Sequence, residues 1–302
     1  MKRLAIIITL LSFSILAQSQ NLPIYNQYHF NKYLANTAAA GATFFGTSVG
    51  LYGRQQWMGV PGAPRTGSVA ATALINSDNA MGLIIGHDTY GYMKDISFRL
   101  SYAYHAKLSE DARLSLGLGF EGSMYSFSPS FSDPVVLIDR INNLTVPSKF
   151  FPNFTAGFYY YSSKAYFGIS ASNIVKKKIG KEEALPTQMF MIGGRVFPVS
   201  RKTNMDITYA FRLNDDLDIG YDLNAKLIFN DFFWTGLSYR SPKILMAMTG
   251  VNVGYWSFGY AFEWSLTKIM LGTYGTHEVM VSYNIPSKKL RSKSGPFCPA
   301  YH

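Results

Sequence analysis

The chain has 302 residues, of which 28 are Lys or Arg and 18 are Asp or Glu, so its formal charge is +10. With 48% hydrophobic and 16% aromatic residues, it is too apolar to be disordered. A single cysteine, Cys298, excludes a fold held by intrachain disulfides. The basic residues are dispersed, which argues against nucleic-acid binding. Anionic lipid headgroups or sugars are better partners, and a basic solvated surface is the simplest interpretation.

The first residues have the pattern of a secretory signal peptide. Lys2 and Arg3 precede an almost unbroken apolar run over residues 4–16, and Ala17-Gln18-Ser19 supplies small residues for cleavage. We therefore expect residues 1–19 to be a signal peptide cleaved after Ser19, with Ala17 as the alternative. The remaining sequence contains no run of 18 apolar residues, which argues against membrane-spanning helices.

The most regular pattern is a strict alternation between Asp95 and Tyr125. One series is apolar and the interleaved series is rich in Ser and Gly, with a turn at Ser109-Glu110-Asp111. Soluble strands are usually about five or six residues long, whereas tilted membrane-spanning strands need about ten. The alternation therefore predicts a hairpin with lipid on one face and a polar interior on the other.

Alternation alone also fits a soluble barrel or sandwich whose apolar series points inward. The long strands, the glycine on the polar face and the 21 Tyr and 22 Phe favour the membrane barrel, in which aromatic side chains form girdles at both interfaces.

Fourteen segments of the sequence combine alternation with flanking turn residues. They are 43–54, 66–76, 80–88, 95–108, 112–125, 152–162, 164–174, 186–197, 203–213, 219–229, 232–241, 244–252, 254–265 and 275–285. An even number is typical of bacterial outer-membrane barrels, whose termini are both periplasmic. We predict an all-β fold: a transmembrane antiparallel β-barrel of about 14 strands over residues 20–286, with a short N-terminal periplasmic segment. Residues 287–302 are expected to form a basic periplasmic tail.

The interior of such a barrel needs filling, because side chains alone fill a barrel of only about eight strands. The segment 31–39 is predicted to form one short helix that plugs the periplasmic end. Charged residues in the polar series predict a salt-bridged interior or a narrow pore. They are Arg99, Lys107, Glu121, Asp206, Arg212, Asp222 and Lys226.

Candidates for catalysis or metal binding are weak. His87-Asp88 and His277-Glu278 lack a second ligand at metal spacing, and neighbours in a strand point to opposite faces. His105 lies on the polar face near serines, but no Gly-x-Ser-x-Gly elbow is present, so a lumen-lining role is simpler. We expect no catalytic residue, no metal site and no cofactor.

Two predicted outside loops stand out. The first contains a motif rich in Pro and Gly, for which a stiff extracellular loop is favoured over direct binding. Its residues are Arg54, Gln55, Gln56, Trp57, Gly62 and Pro64. The second carries Lys176-Lys177-Lys178 and Lys181, which could bind the phosphates of lipopolysaccharide or simply be solvated.

Several short motifs occur together in a particular order. They are Tyr25-Asn26-Gln27-Tyr28, Asn36-Thr37-Ala38-Ala39-Ala40-Gly41, Arg54-Gln55-Gln56-Trp57 with Gly62-Ala63-Pro64, Tyr102-Ala103-Tyr104-His105, Gly168-Ile169-Ser170 with Asn173, Gly275-Thr276-His277-Glu278 with Tyr283, and Phe297-Cys298-Pro299. In these motifs the sequence resembles the PorP/SprF family of outer-membrane proteins from the type IX secretion and gliding systems of Bacteroidota. The resemblance covers essentially the whole mature chain. Thr37 stands where the family usually has proline, which implies a looser approach to the first strand.

The resemblance implies a non-enzymatic outer-membrane component that assists secretion, surface attachment or motility of type IX cargo. The implied partners are a periplasmic peptidoglycan-binding component and a secreted cargo adhesin with a C-terminal sorting signal. Two alternatives stay open: a channel or porin for small solutes or hydrophobic substrates, and a barrel lipase or deacylase.

The basic tail is the candidate surface for the periplasmic partner. It buries too little to fold alone, but it can engage an acidic partner or the inner-leaflet headgroups. Its basic residues and apolar anchors are Lys288, Lys289, Arg291, Lys293, Phe297 and Tyr301.

Overall fold

The computed structural model describes residues 26–42, 46–127, 148–175, 178–179, 182–184, 187–214 and 219–286. The signal peptide and the basic tail predicted above lie outside these residues. The strands are β1 (Gly46–Gln55), β2 (Arg65–Leu74), β3 (Asn79–Tyr90), β4 (Met93–Lys107), β5 (Ala112–Phe127), β6 (Lys149–Ser162), β7 (Ala165–Ser172), β8 (Lys178–Ile179), β9 (Glu182–Ala184), β10 (Gln188–Ser200), β11 (Thr203–Asn214), β12 (Ile219–Phe229), β13 (Phe233–Arg240), β14 (Ile244–Val253), β15 (Trp256–Ser265) and β16 (Thr276–Pro286). Among the residues described, no helix is long and apolar enough to cross a membrane.

The strands form one closed antiparallel sheet, apart from the small separate hairpin β8–β9. Each strand pairs with its neighbours in the chain, and β1 pairs with β16 from Gly46 opposite Pro286 to Gln55 opposite His277. Closure satisfies the backbone hydrogen bonds that an open sheet edge would leave unpaired in lipid. The predicted fourteen-stranded β-barrel is confirmed.

The faces of the strands distinguish a membrane barrel from a soluble one. In β3, every second residue from Ala80 to Asp88 is buried and points inward, whereas Met81, Leu83 and Ile85 are exposed on the outside. Leu118 is 68% exposed at the middle of β5. The apolar series therefore faces outward, as a barrel in contact with lipid requires.

Exposed aromatic side chains lie towards both ends of the barrel, as expected for interfacial girdles. Tyr104, Tyr255 and Trp256 lie towards one end, and Tyr92, Phe150 and Trp264 towards the other.

The connections differ between the two ends. At the turn end, where β1 begins and β16 ends, strands are joined by residues 75–78, 108–111, 163–164, 201–202, 230–232 and 254–255. At the loop end they are joined by residues 56–64, 91–92, 128–148, 173–187, 215–218, 241–243 and 266–275. The short gap of residues 242–243 between the predicted segments 232–241 and 244–252 corresponds to the connection 241–243. The gap of residues 89–94 between the predicted segments 80–88 and 95–108 is shorter in the structure, because β3 and β4 remain paired up to Tyr90 opposite Met93.

Residues 26–42, called the plug below, lie inside the barrel. They form three short 3₁₀ helices, η1 (Asn26–His29), η2 (Lys32–Leu34) and η3 (Thr37–Ala39), instead of the single helix predicted over 31–39. The side chain of Asn31 accepts a hydrogen bond from the Tyr33 N–H, and Asn36 does the same for Ala38. Each asparagine therefore caps and begins a new turn, which interrupts a continuous helix.

Candidate functional site

The plug is fixed to the barrel by tyrosine hydroxyls that reach the walls. The Tyr28 hydroxyl donates to Asp222 Oδ2 at 2.8 Å, and the Tyr33 hydroxyl lies 2.9 Å from Ser101 Oγ. Both tyrosines are fully buried. Because Asp222 lies on β12 and Ser101 on β4, the plug joins distant parts of the wall.

Asn36 makes a further polar link between the plug and the wall. Its Nδ2 donates to the carbonyl oxygen of Phe158 on β6 at 2.9 Å, while its Oδ1 accepts from the Ala38 N–H at 2.9 Å. The wall that faces Asn36 has glycine at residue 157. A Cβ on Gly157 would collide with Asn36 Oδ1. A Cβ on Gly117 would lie 2.5 Å from the Ala38 Cα. These glycines let the plug backbone approach the strands closely.

Thr37 departs from the family pattern but is firmly held. Its Oγ1 lies 3.1 Å from the Oγ1 of Thr155, and both residues are buried. Proline is favoured at the first position of a helix because its φ angle is preset. Threonine lacks that preset angle but makes a hydrogen bond to the wall. The looser approach to β1 that the resemblance implied stays a prediction.

His105, the residue considered for catalysis, anchors the plug. Its Nε2 lies 2.8 Å from the Ala40 carbonyl oxygen, and its Nδ1 lies 3.0 Å from the Tyr161 hydroxyl. A carbonyl oxygen only accepts, so Nε2 donates to it, and in the neutral ring Nδ1 then accepts from Tyr161. Both ring nitrogens are engaged in holding the plug in place.

A chain of ion pairs lines one side of the lumen. Arg54 Nη2 lies 3.1 Å from Glu263, whose other carboxylate oxygen lies 3.2 Å from Arg240 Nη1. Arg240 Nε is 3.1 Å from Asp222, and Arg212 Nη2 is 2.8 Å from the same carboxylate. These five residues come from five different strands. Buried charges are stable in the interior only when they are paired in this way.

The ends of the chain of ion pairs connect it to the loop motif and to the plug. Arg54 Nε donates to Glu278 at 2.7 Å, and its Nη1 donates to the side-chain oxygen of Gln56 at 2.7 Å. At the other end, Asp222 accepts from Tyr28 in the plug. The motif arginine therefore points into the lumen and not into the loop.

The other motif residues fold the loop of residues 56–64. Gln55 ends β1 and donates to the backbone of Gln56, whose N–H in turn donates to the Pro64 carbonyl. Trp57 has φ 45°, and its N–H donates to Thr276. The carbonyl of Gly62, which has φ 73°, accepts from the Gly91 N–H at 2.8 Å.

The same loop is joined to the loop of residues 266–275. The Met58 N–H donates to the Gly275 carbonyl and the Tyr274 N–H to the Met58 carbonyl, both at 2.8 Å. Backbone hydrogen bonds thus connect three loop-end connections, 56–64, 91–92 and 266–275, into one structure. The prediction of a stiff loop agrees with this geometry; whether the loop binds a partner stays a prediction.

Most of the charged residues that were predicted to line the lumen do line it. Arg99 pairs with Glu121 and also donates to the Leu34 carbonyl of the plug. Lys226 lies 3.7 Å from Asp206. Lys107 was assigned wrongly: it ends β4 at the turn end, 47% exposed, and pairs with Glu110 in the adjoining turn.

The predicted set of lumen charges omitted Arg240, Glu263 and Glu278, and also Arg54, Asp88 and Asp95. Glu263 follows Gly259 and Ala261 in the inward series of β15, and Arg240 follows Gly236 and Ser238 in that of β13. That spacing was a usable signal, because a charged residue at the end of a small-residue series faces the lumen.

Burial also sets the ionisation of the plug itself. It lowers the pKa of His29 well below the usual value, and the positive charges of Arg240 and Lys32 act in the same direction. Burial raises the pKa of Tyr28, and the neighbouring Asp222 raises it further. The plug therefore presents a neutral imidazole and a neutral phenol to the chain of ion pairs.

The remaining candidate residues for metal or partner binding lie in different parts of the chain. His87 is exposed on the outer face while its neighbour Asp88 is buried in the lumen. His277 contacts the Tyr260 hydroxyl through Nδ1 at 2.7 Å. Within the described ranges, no group of three or more His, Cys, Asp or Glu side chains is placed to hold a metal ion. The partner-binding residues predicted in the tail, 288–301, lie outside the described residues.

A comparison with known protein families shows to which family this plugged barrel belongs. The family described as type IX secretion system membrane protein PorP/SprF matches residues 17–283. The chain belongs to the PorP/SprF family. The family match extends from residue 17 and therefore includes the plug as well as the strands. No curated protein matches this PorP/SprF chain.

Solved structures similar to this PorP/SprF protein are outer-membrane barrels. A deletion mutant of the TodX monoaromatic hydrocarbon channel has a TM-score of 0.51 at 9% identity and covers 86% of this chain and 94% of its own. The CymD monoaromatic hydrocarbon channel has a TM-score of 0.50 at 10% identity, covering 89% and 95%. Omp33 of Acinetobacter baumannii has a TM-score of 0.48 at 6% identity, covering 80% and 99%. Identities this low show a shared fold alone.

Proposed function

We propose that this PorP/SprF protein is a non-enzymatic outer-membrane component that assists the secretion or surface attachment of a type IX cargo protein. The observation that carries the proposal is the plug, which fills the lumen with buried, hydrogen-bonded residues and joins opposite walls. A barrel filled in this way is suited to serve as a membrane-embedded scaffold, whereas a porin needs a water-filled channel.

We propose that the turn end faces the periplasm and the loop end faces the outside. The start of β1 and the end of β16 both lie at the turn end, and the longest connections lie at the loop end. This arrangement matches that of bacterial barrels with short periplasmic turns and longer extracellular loops. The turn end and the basic tail would then face a periplasmic peptidoglycan-binding component. The loop end would face a cargo adhesin with a C-terminal sorting signal.

Conductance in planar lipid bilayers tests the central proposal. The purified full-length barrel is expected to be silent, and a variant that lacks residues 26–42 is expected to conduct. Large steady currents through the wild type would support the channel alternative. Lipid hydrolysis by the purified wild type, lost on His105→Ala, would support the enzyme alternative; either result would overturn the scaffold.

Deletion of residues 287–302 tests the periplasmic contact. The truncated barrel is expected to insert into the membrane but to retain less of the periplasmic partner in pull-downs. A matched variant with Lys288, Lys289, Arg291 and Lys293 changed to Ser separates the basic charge from the apolar anchors Phe297 and Tyr301. Full recovery of the partner by the truncated barrel would assign the contact to the turns or the N-terminal segment.

A further inference from the structure

Two aspartates face each other in the lumen near the loop end. Asp88 on β3 and Asp95 on β4 are directly opposite in the hairpin register, two pairs away from the connection 91–92. They are only 4% and 7% exposed. Directly opposite residues have Cβ atoms about 4.5–5.5 Å apart, so both carboxylates are within reach of one ion.

Within the part of the chain that the structure describes, no ion pair reaches either aspartate, although the positive charge of Arg54 favours the charged form of Asp88 from farther away. Among the described residues, the Oδ1 atom of each is buried and without a hydrogen-bond partner, although Asp88 also accepts a hydrogen bond from Thr66. Like charges placed directly opposite each other in a sheet repel, and a buried carboxylate without a partner is costly. The geometry therefore calls for a positive charge between them.

The nearby arginines are already bound elsewhere. Arg99, four residues along β4, pairs with Glu121 and donates to the plug backbone. Arg54 on β1 is held by Glu278 and Glu263.

The surroundings offer further oxygen atoms. Asp88 and Asp95 line a cavity of about 90 Å³ together with Ser97, Ser123 and Tyr125. Tyr125 lies directly opposite Asp95 on β5. A single water needs roughly 10–15 Å³ of such space, so the cavity has room for an ion with bound waters. Carboxylate, hydroxyl and water oxygens are the ligands that Ca²⁺ prefers, at six to eight positions of flexible geometry.

We propose that Asp88 and Asp95 bind one Ca²⁺ ion at the loop end of the lumen, with waters and the neighbouring hydroxyl oxygens completing its coordination. His87-Asp88 was dismissed as a metal site from the sequence because no second ligand stood at metal spacing. The strand register supplies that ligand from β4. The ion joins β3 and β4 beside the connected loops 56–64 and 266–275, and it is independent of the proposed role in secretion.

The test uses the full-length barrel in detergent micelles, freed of metal with EDTA and dialysed. Titration calorimetry with CaCl₂ is expected to show one site per chain, and the melting temperature is expected to rise with Ca²⁺. The double variant Asp88→Asn/Asp95→Asn is expected to lose at least tenfold in Ca²⁺ affinity and to melt independently of Ca²⁺. The control Asp78→Asn, at the turn end, is expected to bind like the wild type.

The competing explanations give different results. If the two carboxylates share a proton, the melting temperature will depend on pH but not on Ca²⁺, which overturns the proposal. If a basic side chain from elsewhere lies between them, wild-type protein will bind no Ca²⁺, which also overturns it. Equal Ca²⁺ affinity in the double variant would place the ion elsewhere and refute this site.

Discussion

Asn36 is predicted to control whether the plug stays in the lumen. Replacing it with Ala removes the 2.9 Å hydrogen bond to the Phe158 carbonyl and the 2.9 Å cap on the Ala38 N–H. Each bond contributes about 1 kcal/mol, and leaving the buried Ala38 N–H unpaired costs about 1–3 kcal/mol more. The sum, about 3–5 kcal/mol, corresponds to a rise of roughly 150- to 5,000-fold in the population with a released plug.

The population of released plug can be measured by thiol labelling. The natural cysteine, Cys298, is first changed to Ser, and Ala39→Cys then places a thiol in the plug, where Ala39 is fully buried. When the plug opens and closes quickly, the labelling rate follows the open population. Asn36→Ala in this background is expected to raise the rate by at least about 150-fold, with brief conductance events in bilayers.

Asn76→Ala is the matched control for this experiment. The Asn76 side chain also accepts backbone hydrogen bonds, from Asp78 and Asn79, but it lies in a turn-end connection. Its loss is expected to leave the labelling rate within about threefold of the parent. Equal rates in the Asn36 and Asn76 variants would refute the conclusion that Asn36 holds the plug.

Three further predictions concern the wall, the chain of ion pairs and the plug. Leu118→Arg places a charge on the lipid face near mid-depth and is expected to cost about 2–4 kcal/mol in urea unfolding from liposomes, whereas Leu118→Ala should cost clearly less. Arg240→Ala takes one of two arginine partners from each of the buried carboxylates Asp222 and Glu263 and is expected to cost about 3–5 kcal/mol, against less than 0.5 kcal/mol for the exposed Arg201→Ala; similar values for both would contradict a structural role. Tyr28→Phe removes a hydrogen bond to Asp222 and is expected to cost about 1.5–3 kcal/mol by the same assay, and an unchanged midpoint would count against that bond.

The barrel was predictable from the sequence because alternation is a local property. One face of each strand contacts lipid and the other faces the lumen. The alternation of apolar and polar residues within a strand therefore shows which face points outward. The predicted segment 112–125 corresponds to β5 at Ala112–Phe127, and 203–213 corresponds to β11 at Thr203–Asn214. Even the charged residues on the polar series were mostly assigned correctly, since a charge interrupts the apolar pattern visibly.

The plug contacts were not predictable, because they join residues far apart in the chain. Asn36 and Phe158 are separated by 122 residues, and Tyr28 and Asp222 by 194. Nothing in the local pattern around Asn36 distinguishes a cap on a surface turn from a link to the wall. The sequence indicated that residues 31–39 plug the periplasmic end of the barrel, but not which of their side chains make the contacts.

Gly117 illustrates the same limit. Alternation alone places it on the polar face of β5, away from lipid, and so predicts that a substitution there is milder than a charge at Leu116 or Leu118. In the structure a Cβ there would lie 2.5 Å from the backbone of Ala38 in the plug. A side chain at Gly117 must therefore displace the plug, and its expected effect is no longer small.

The breadth of its contacts indicates that the plug is the core of this barrel. It reaches Ser101 on β4, Thr155 on β6, Ser170 on β7 and Asp222 on β12. Fourteen strands enclose more space than their own side chains fill, so the apolar and polar groups of the lumen need a partner to pack against. Removing the plug would therefore lower the stability of the whole barrel as well as open the lumen. For the proposed scaffold, a partner that withdrew the plug would have to supply new contacts to these same wall residues.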